Sequence, residues 1–139
     1  HAAGLFDLSQ EKVLCGYKIF DQVYPASTTK ILTAYVALKY GNVEDIVTVS
    51  EHATDFSWDA SVAGLKPGDA LTLYDLLCGL MIRSGNDCGT AIAEHISGSE
   101  EAFAELMNTE AAALGATGTH FTNPHGLHED DHYTTAYDL

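Results

Sequence analysis

Ser27 and Lys30 stand three residues apart in the run Ser27-Thr28-Thr29-Lys30, preceded by Tyr24-Pro25-Ala26 and followed by an apolar helical stretch. A serine hydroxyl attacks a carbonyl only when a neighbour takes its proton, and a lysine can do this once its own pKa is lowered. Positions i and i+3 share one face of a helix, so the spacing predicts that both side chains enter one cleft. A serine in the first turn also lies beside free amide groups and the positive end of the helix dipole, where charge develops during acyl transfer. The plainer reading of Ser27 is a helix N-cap. A second polar group, Ser84-Gly85-Asn86, lies between two later helical patterns. Read as an extended segment, it would aim the Ser84 hydroxyl and the Asn86 amide into one pocket. The plainer reading of this pair is a cap on the helix that runs through Ala91, Ile92 and Ile96.

Ser-x-x-Lys followed downstream by Ser-x-Asn forms the first two thirds of the signature of penicillin-recognising serine enzymes. The run Tyr24-Pro25-Ala26-Ser27-Thr28-Thr29-Lys30 resembles the low-molecular-weight D-alanyl-D-alanine carboxypeptidases, a penicillin-binding protein family. So do Arg83-Ser84-Gly85-Asn86-Asp87, the segment from His95 to Phe103, and Asn123-Pro124-His125-Gly126-Leu127. The resemblance spans almost the whole chain. It implies an α/β (α+β) serine acyl-transferase fold of the penicillin-binding protein and β-lactamase type, of which residues 1–139 would supply the helical lobe and the N-terminal hairpin. It further implies Ser27 as nucleophile and Lys30 as its base. Ser84 would relay a proton to the leaving group, and Asn86 would hold the substrate amide and orient Lys30. The implied substrate is a peptidoglycan stem peptide ending in D-Ala-D-Ala, with β-lactams as covalent inhibitors and no cofactor. One element of the family is missing: no Lys-Thr-Gly or Lys-Ser-Gly follows Asn86, and that strand is expected beyond Leu139. The 139 residues are therefore expected to form one partial catalytic domain, inactive alone and prone to self-association.

Several elements must place these residues. Residues 2–8 and 12–18 read as two short strands joined at Ser9-Gln10-Glu11. A first helix is predicted from Ser27 to Tyr40, with Ile31, Leu32, Tyr35 and Leu38 as its inward stripe and Gly41-Asn42 as its stop. Val47-Thr48-Val49 reads as extended, and residues 50–70 as a long loop of the kind that borders sites. A second helix starts at the capping pattern Thr72-Leu73-Tyr74-Asp75 and ends at Arg83. Its near absence of charge predicts burial on every side, which would fix Ser84 at its exit. A third helix is expected over 87–97 and a fourth over Ser99–Leu114, with Phe103, Leu106 and Met107 inward and Gly115 as its stop. Thr135-Ala136-Tyr137-Asp138 reads as another capping box, whose helix would continue past Leu139.

Composition bounds the partners. With 139 residues, 46% of them hydrophobic, the chain can bury one modest core. A net charge of -14, with six Lys and Arg, argues against nucleic acid and anionic membrane surfaces, which want basic patches. No apolar run is long enough to span a bilayer. The resemblance implies export to the cell envelope, through a leader and a C-terminal anchor that lie outside these residues. Three cysteines without Cys-x-x-Cys spacing support neither a disulfide framework nor a zinc site, and are expected as small buried residues. His120, His125, His128 and His132 lack regular ligand spacing, so no metal site is expected. Two rival readings stand beside the carboxypeptidase. A class A β-lactamase would need Glu-x-x-Leu-Asn, and Glu105-Leu106-Met107-Asn108 has the wrong spacing. A non-catalytic scaffold would bind ligand or partner without turnover.

Overall fold

The computed structural model describes all 139 residues. Strands β1 (Ala3–Asp7) and β2 (Lys12–Tyr17) pair antiparallel, with Ala3 opposite Tyr17 and a register shift between Leu5 and Phe6. The Asp7 carboxylate closes the turn by accepting the Ser9 amide at 2.9 Å. This hairpin stands on the edge of the molecule, and every residue of β2 is exposed. A 3-10 turn over Ala26–Thr28 then leads into α1 (Thr29–Tyr40). β3 (Ile46–Thr48) pairs antiparallel with β4 (Ala70–Thr72), a strand hidden from sequence reading by its brevity. The remaining helices are α2 (Leu73–Arg83), α3 (Asn86–Ser97) and α4 (Glu100–Ala113).

The predicted capping box at α2 is present, and α4 has a cap at Ser99, which the sequence reading placed inside the helix. Thr72 and Asp75 form a reciprocal capping box at α2, and the Ser99 hydroxyl accepts the Ala102 amide at α4. Gly115, at φ 86, carries the chain away from α4 in the left-handed region that glycine enters freely. At the last capping pattern only half forms. Asp138 N–H donates to Thr135, but the Asp138 carboxylate turns away to the Gly118 amide and the Thr119 hydroxyl.

Two burial expectations are overturned. Ile31, Tyr35 and Leu38 face outward, and the covered face of α1 carries Thr29, Lys30, Thr33, Val36 and Ala37. Apolar residues occur all round this helix, so their spacing did not decide the orientation. The polar face turned inward because it finds partners there. The all-round buried helix is α3 rather than α2: residues 86 to 93 are covered without a break, whereas Tyr74, Met81 and Ile82 of α2 face solvent. Small side chains make this central position possible. A Cβ at Gly79 of α2 would lie 2.5 Å from the Cys88 Sγ, so the two helices meet at van der Waals contact. The core gathers Val36, Leu73, Leu76, Leu80, Ile92, Phe103 and Met107 around α3. Glu110 is buried in α4 and bonds both Lys39 and Tyr40 at 2.6 Å, which ties the end of α1 to α4.

Of the cysteines only Cys88 is buried; Cys15 is exposed in the hairpin, where no core exists to receive it. No helix is long and apolar enough to cross a membrane.

Candidate active site

Ser27 lies in the 3-10 turn, two residues before α1 begins, and not within the α-helix itself. Its hydroxyl caps nothing, and the residue is exposed at the surface. The turn is set by Ala26, a non-glycine residue at φ 49. That unfavourable backbone is held by a second segment: a Cβ at Gly126 would lie 1.9 Å from the Ala26 carbonyl oxygen. Gly126 itself sits at φ 87, so both its conformation and its closeness to Ala26 require glycine.

Lys30 is almost fully buried one turn further on, and its Nζ has three partners. It donates to the Asn86 Oδ1 at 2.8 Å and to the His125 carbonyl at 2.7 Å, while Ser27 Oγ lies 3.3 Å away. Burial pushes the amine down to about 8. A neutral amine has two hydrogens and one lone pair. Two strong acceptors hold the hydrogens, which leaves the lone pair for the third direction, toward the serine. The long contact is therefore the one across which a proton can move to nitrogen.

Asn86 is the first residue of α3, and Gly85 occupies its N-cap without a side-chain bond. Ser84 takes a left-handed φ of 55, and Gly85 donates back to the Gly79 carbonyl at 3.2 Å. The segment is thus a tight helix-to-helix corner rather than an extended strand, and neither Ser84 nor Asn86 caps α3. Asp87 anchors the corner. Its carboxylate accepts the amides of Ala63 and Gly64 at 2.8 Å, Cys88 at 2.9 Å and Leu65 at 3.0 Å. Asn86 N–H donates to Ser61 at 2.8 Å, so the 61–65 part of the long loop is fastened to the residues beside the site.

Sequence reading singled out Ser27, Lys30, Ser84 and Asn86, and the structure joins the first two and Asn86 by hydrogen bonds. Ser84 stands two residues from Asn86, half-buried, with no hydrogen bond from its hydroxyl. The third partner of Lys30 escaped notice because it is a backbone carbonyl, which no residue type announces. The histidines do not converge. His132 binds Thr29 at 2.8 Å, His120 binds the Asp131 carbonyl at 2.6 Å, and His128 lies edge-on to Tyr24. No group of three or more His, Cys, Asp or Glu is placed to hold a metal ion. In the Glu105-Leu106-Met107-Asn108 stretch, Glu105 is exposed and Asn108 is bound to the Phe121 backbone.

The chain has relatives among known proteins. The family model described as D-alanyl-D-alanine carboxypeptidase covers residues 1–139. The D-alanyl-D-alanine carboxypeptidase DacF of Bacillus subtilis is 43% identical over 143 residues, which are 99% of this chain and 36% of that protein. DacC of Escherichia coli is 41% identical over 97% of this chain and 36% of its own length. The chain thus spans a little over a third of these relatives. The crystal structure of the D-alanyl-D-alanine carboxypeptidase from Mycobacterium tuberculosis superposes with a TM-score of 0.92 at 35% identity, over 99% of this chain and 52% of that one. DacD of Francisella tularensis gives 0.90 at 34% identity, over 99% and 34%. The mixed α/β architecture is that of their catalytic domains, and the chain belongs to the D-alanyl-D-alanine carboxypeptidase family.

Proposed function

We propose that these residues carry the nucleophile and base of a serine-type D-Ala-D-Ala carboxypeptidase acting on peptidoglycan stem peptides in the cell envelope. Ser27 attacks the penultimate D-Ala carbonyl while Lys30 accepts its proton, which forms an acyl-enzyme and releases D-alanine. Ser84 passes a proton to the departing amine, and its unengaged hydroxyl is free for that task. Asn86 divides its work between Lys30, held through Oδ1, and the substrate amide. The Ser27 amide, in the 3-10 turn that leads into α1, gives one donor to the oxyanion. Water then resolves the acyl-enzyme. A β-lactam follows the same first step and stays attached.

The observation that carries this reading is the Lys30 environment. A buried amine whose two hydrogens are held by Asn86 and His125 faces a solvent-accessible serine at 3.3 Å. A structural lysine would be paired with a carboxylate, as Lys39 is with Glu110. The test is labelling of the natural polypeptide that carries residues 1–139 with a tagged penicillin. One adduct on the peptide containing Ser27 is expected, with none in Ser27→Ala. An adduct on another residue would overturn the assignment.

A further inference from the structure

The carbonyl that receives the Lys30 amine belongs to a loop, and a carbonyl on a loop is only as well placed as the loop's anchors. Within the loop, the Asn123 side chain accepts the amides of His125 at 3.3 Å and Gly126 at 2.7 Å. From outside, Thr33 donates to the Pro124 carbonyl at 2.6 Å. A further outside anchor is the His125 side chain, which is buried and has no part in the proposed chemistry. Its Nδ1 accepts the Leu127 amide at 3.2 Å, so in the neutral ring the proton sits on Nε2. That Nε2–H faces Glu100 Oε1 at 3.4 Å, and the ring lies edge-on to Phe56 at 5.4 Å.

Glu100 is the first residue of α4, where an anion is favoured by the helix dipole. It is held in turn by the buried Thr90 of α3, whose hydroxyl donates to the same Oε1. Burial opposes its charge, but the bonds from His125 and Thr90 outweigh this and leave the carboxyl below its ordinary value. His52 approaches the other oxygen, Oε2, at 3.8 Å from the exposed side. A half-buried carboxylate, hydrogen-bonded by Thr90 and faced by the covered His125 ring, thus reaches Lys30 through one ring and one peptide unit.

We propose that Glu100 is a positioning residue, which through the His125 ring fixes the carbonyl that holds the Lys30 amine against Ser27. The inference rests on the catalytic reading of Ser27 and Lys30 given above. Without Glu100 the His125 ring loses its buried partner, the loop loosens, and water reaches the amine. Gln at this position keeps an acceptor oxygen for both Thr90 and His125, whereas Met fills the space and offers neither bond.

The experiment is an NMR titration of the Lys30 ε-methylene in the natural polypeptide, together with penicillin acylation rates, for wild type, Glu100→Met, Glu100→Gln and Thr90→Val. The wild-type titration is expected near 8. In Glu100→Met it should move up toward the ordinary value of about 10.4, and acylation at neutral pH should slow roughly tenfold or more. Glu100→Gln should titrate and acylate close to wild type, and Thr90→Val should shift in the same direction as Met by less. A purely structural role would lower the melting temperature without moving the Lys30 titration. An unmoved titration in Glu100→Met, or an equal shift in Glu100→Gln, would overturn the proposal. Should Met unfold the protein, an unmoved titration in Thr90→Val overturns it instead. The titration needs no turnover, so failure of Ser27 labelling and failure of this inference are read separately.

Discussion

At the scale of single residues, two buried bases stay uncharged, Lys30 for the proposed chemistry and His132 for the fold. Lys30 must be neutral to accept a proton, and burial brings its pKa to about 8. Near pH 7 that leaves roughly a tenth of the molecules with a free amine, against less than a thousandth for an ordinary lysine near 10.4. Acylation is therefore expected to rise about tenfold per pH unit below 8 and to level off above it. Lys30→Arg should be almost inert at every pH, because a guanidinium does not give up its proton. Stopped-flow acylation across pH 6 to 10 checks both, and an arginine variant at wild-type rate would remove Lys30 from the role of base. His132 is neutral for structural reasons. The Thr122 amide donates to its Nδ1 at 3.1 Å and its Nε2–H meets Thr29 at 2.8 Å, so a second ring proton would point at an N–H. Burial pushes it down to about 4 from an ordinary 6.5. A histidine depressed in the folded state binds more protons when unfolded, so its contribution is intact above pH 6.5 and lost as pH falls to about 4. A shift of that size is worth on the order of 3 kcal/mol. Urea titrations should show that loss, and His132→Phe should flatten the slope within that window whatever its starting stability.

At the scale of elements, the precision of the site comes from segments fastened to one another by backbone groups. Asp87 gathers four amides, three of them from the 63–65 stretch of the long loop, and so presents the loop and the Asn86 corner as one unit. Asp87→Asn would turn an NH2 toward two of those donors. It should cost about 1.5–3 kcal/mol, the range for hydrogen bonds to a charged group. Hydrogen exchange should show residues 61–65 losing protection while α4 keeps its own; unchanged protection would mean that the loop is held elsewhere. Such links explain what the sequence could reveal. The helices were legible because their caps and stops are local: Thr72 with Asp75, Ser99, and Gly115 need no knowledge of the rest of the chain. Ser27, Lys30 and Asn86 were legible because side-chain chemistry was tied to fixed spacing. The inward face of α1 was not, since apolar residues surround that helix and the choice was made by partners 56 and 95 positions away. The Ser84 corner was misread for a related reason. A left-handed serine has no sequence mark, and only the packing of α2 on α3 requires it. The His125 carbonyl and the Ala26–Gly126 contact are backbone features, which residue identity describes poorly.

At the scale of the whole molecule, the surface carries information that no single site does. The accessible area is 7960 Å², whereas a compact monomer of 139 residues should expose about 7000 Å². A cleft of about 210 Å³ opens beside α1 and is lined by Ile31, Leu32, Tyr35, Leu114 and Phe121. A second apolar face joins Leu38 of α1 to Tyr74, Met81 and Ile82 of α2. Surfaces of this kind mark places where another part of a fold, or another chain, packs. The catalytic reading points the same way. In the proposed mechanism the Ser27 amide gives the oxyanion one donor, and residues 1–139 hold no Lys-Thr-Gly or Lys-Ser-Gly after Asn86 to add a second donor or a cation for the substrate carboxylate. One missing oxyanion donor costs roughly 2.7–4 kcal/mol, or about a hundred- to a thousandfold in rate. Residues 1–139 produced by themselves should therefore release D-alanine from a D-Ala-D-Ala peptide at least a hundredfold more slowly than an intact relative. They should also bind an apolar dye and sediment as more than a monomer. Turnover at an intact relative's rate by a monodisperse 139-residue monomer would show that Ser27, Lys30, Ser84 and Asn86 suffice. The outward faces of α1 and α2 would then need a different explanation from a missing packing partner.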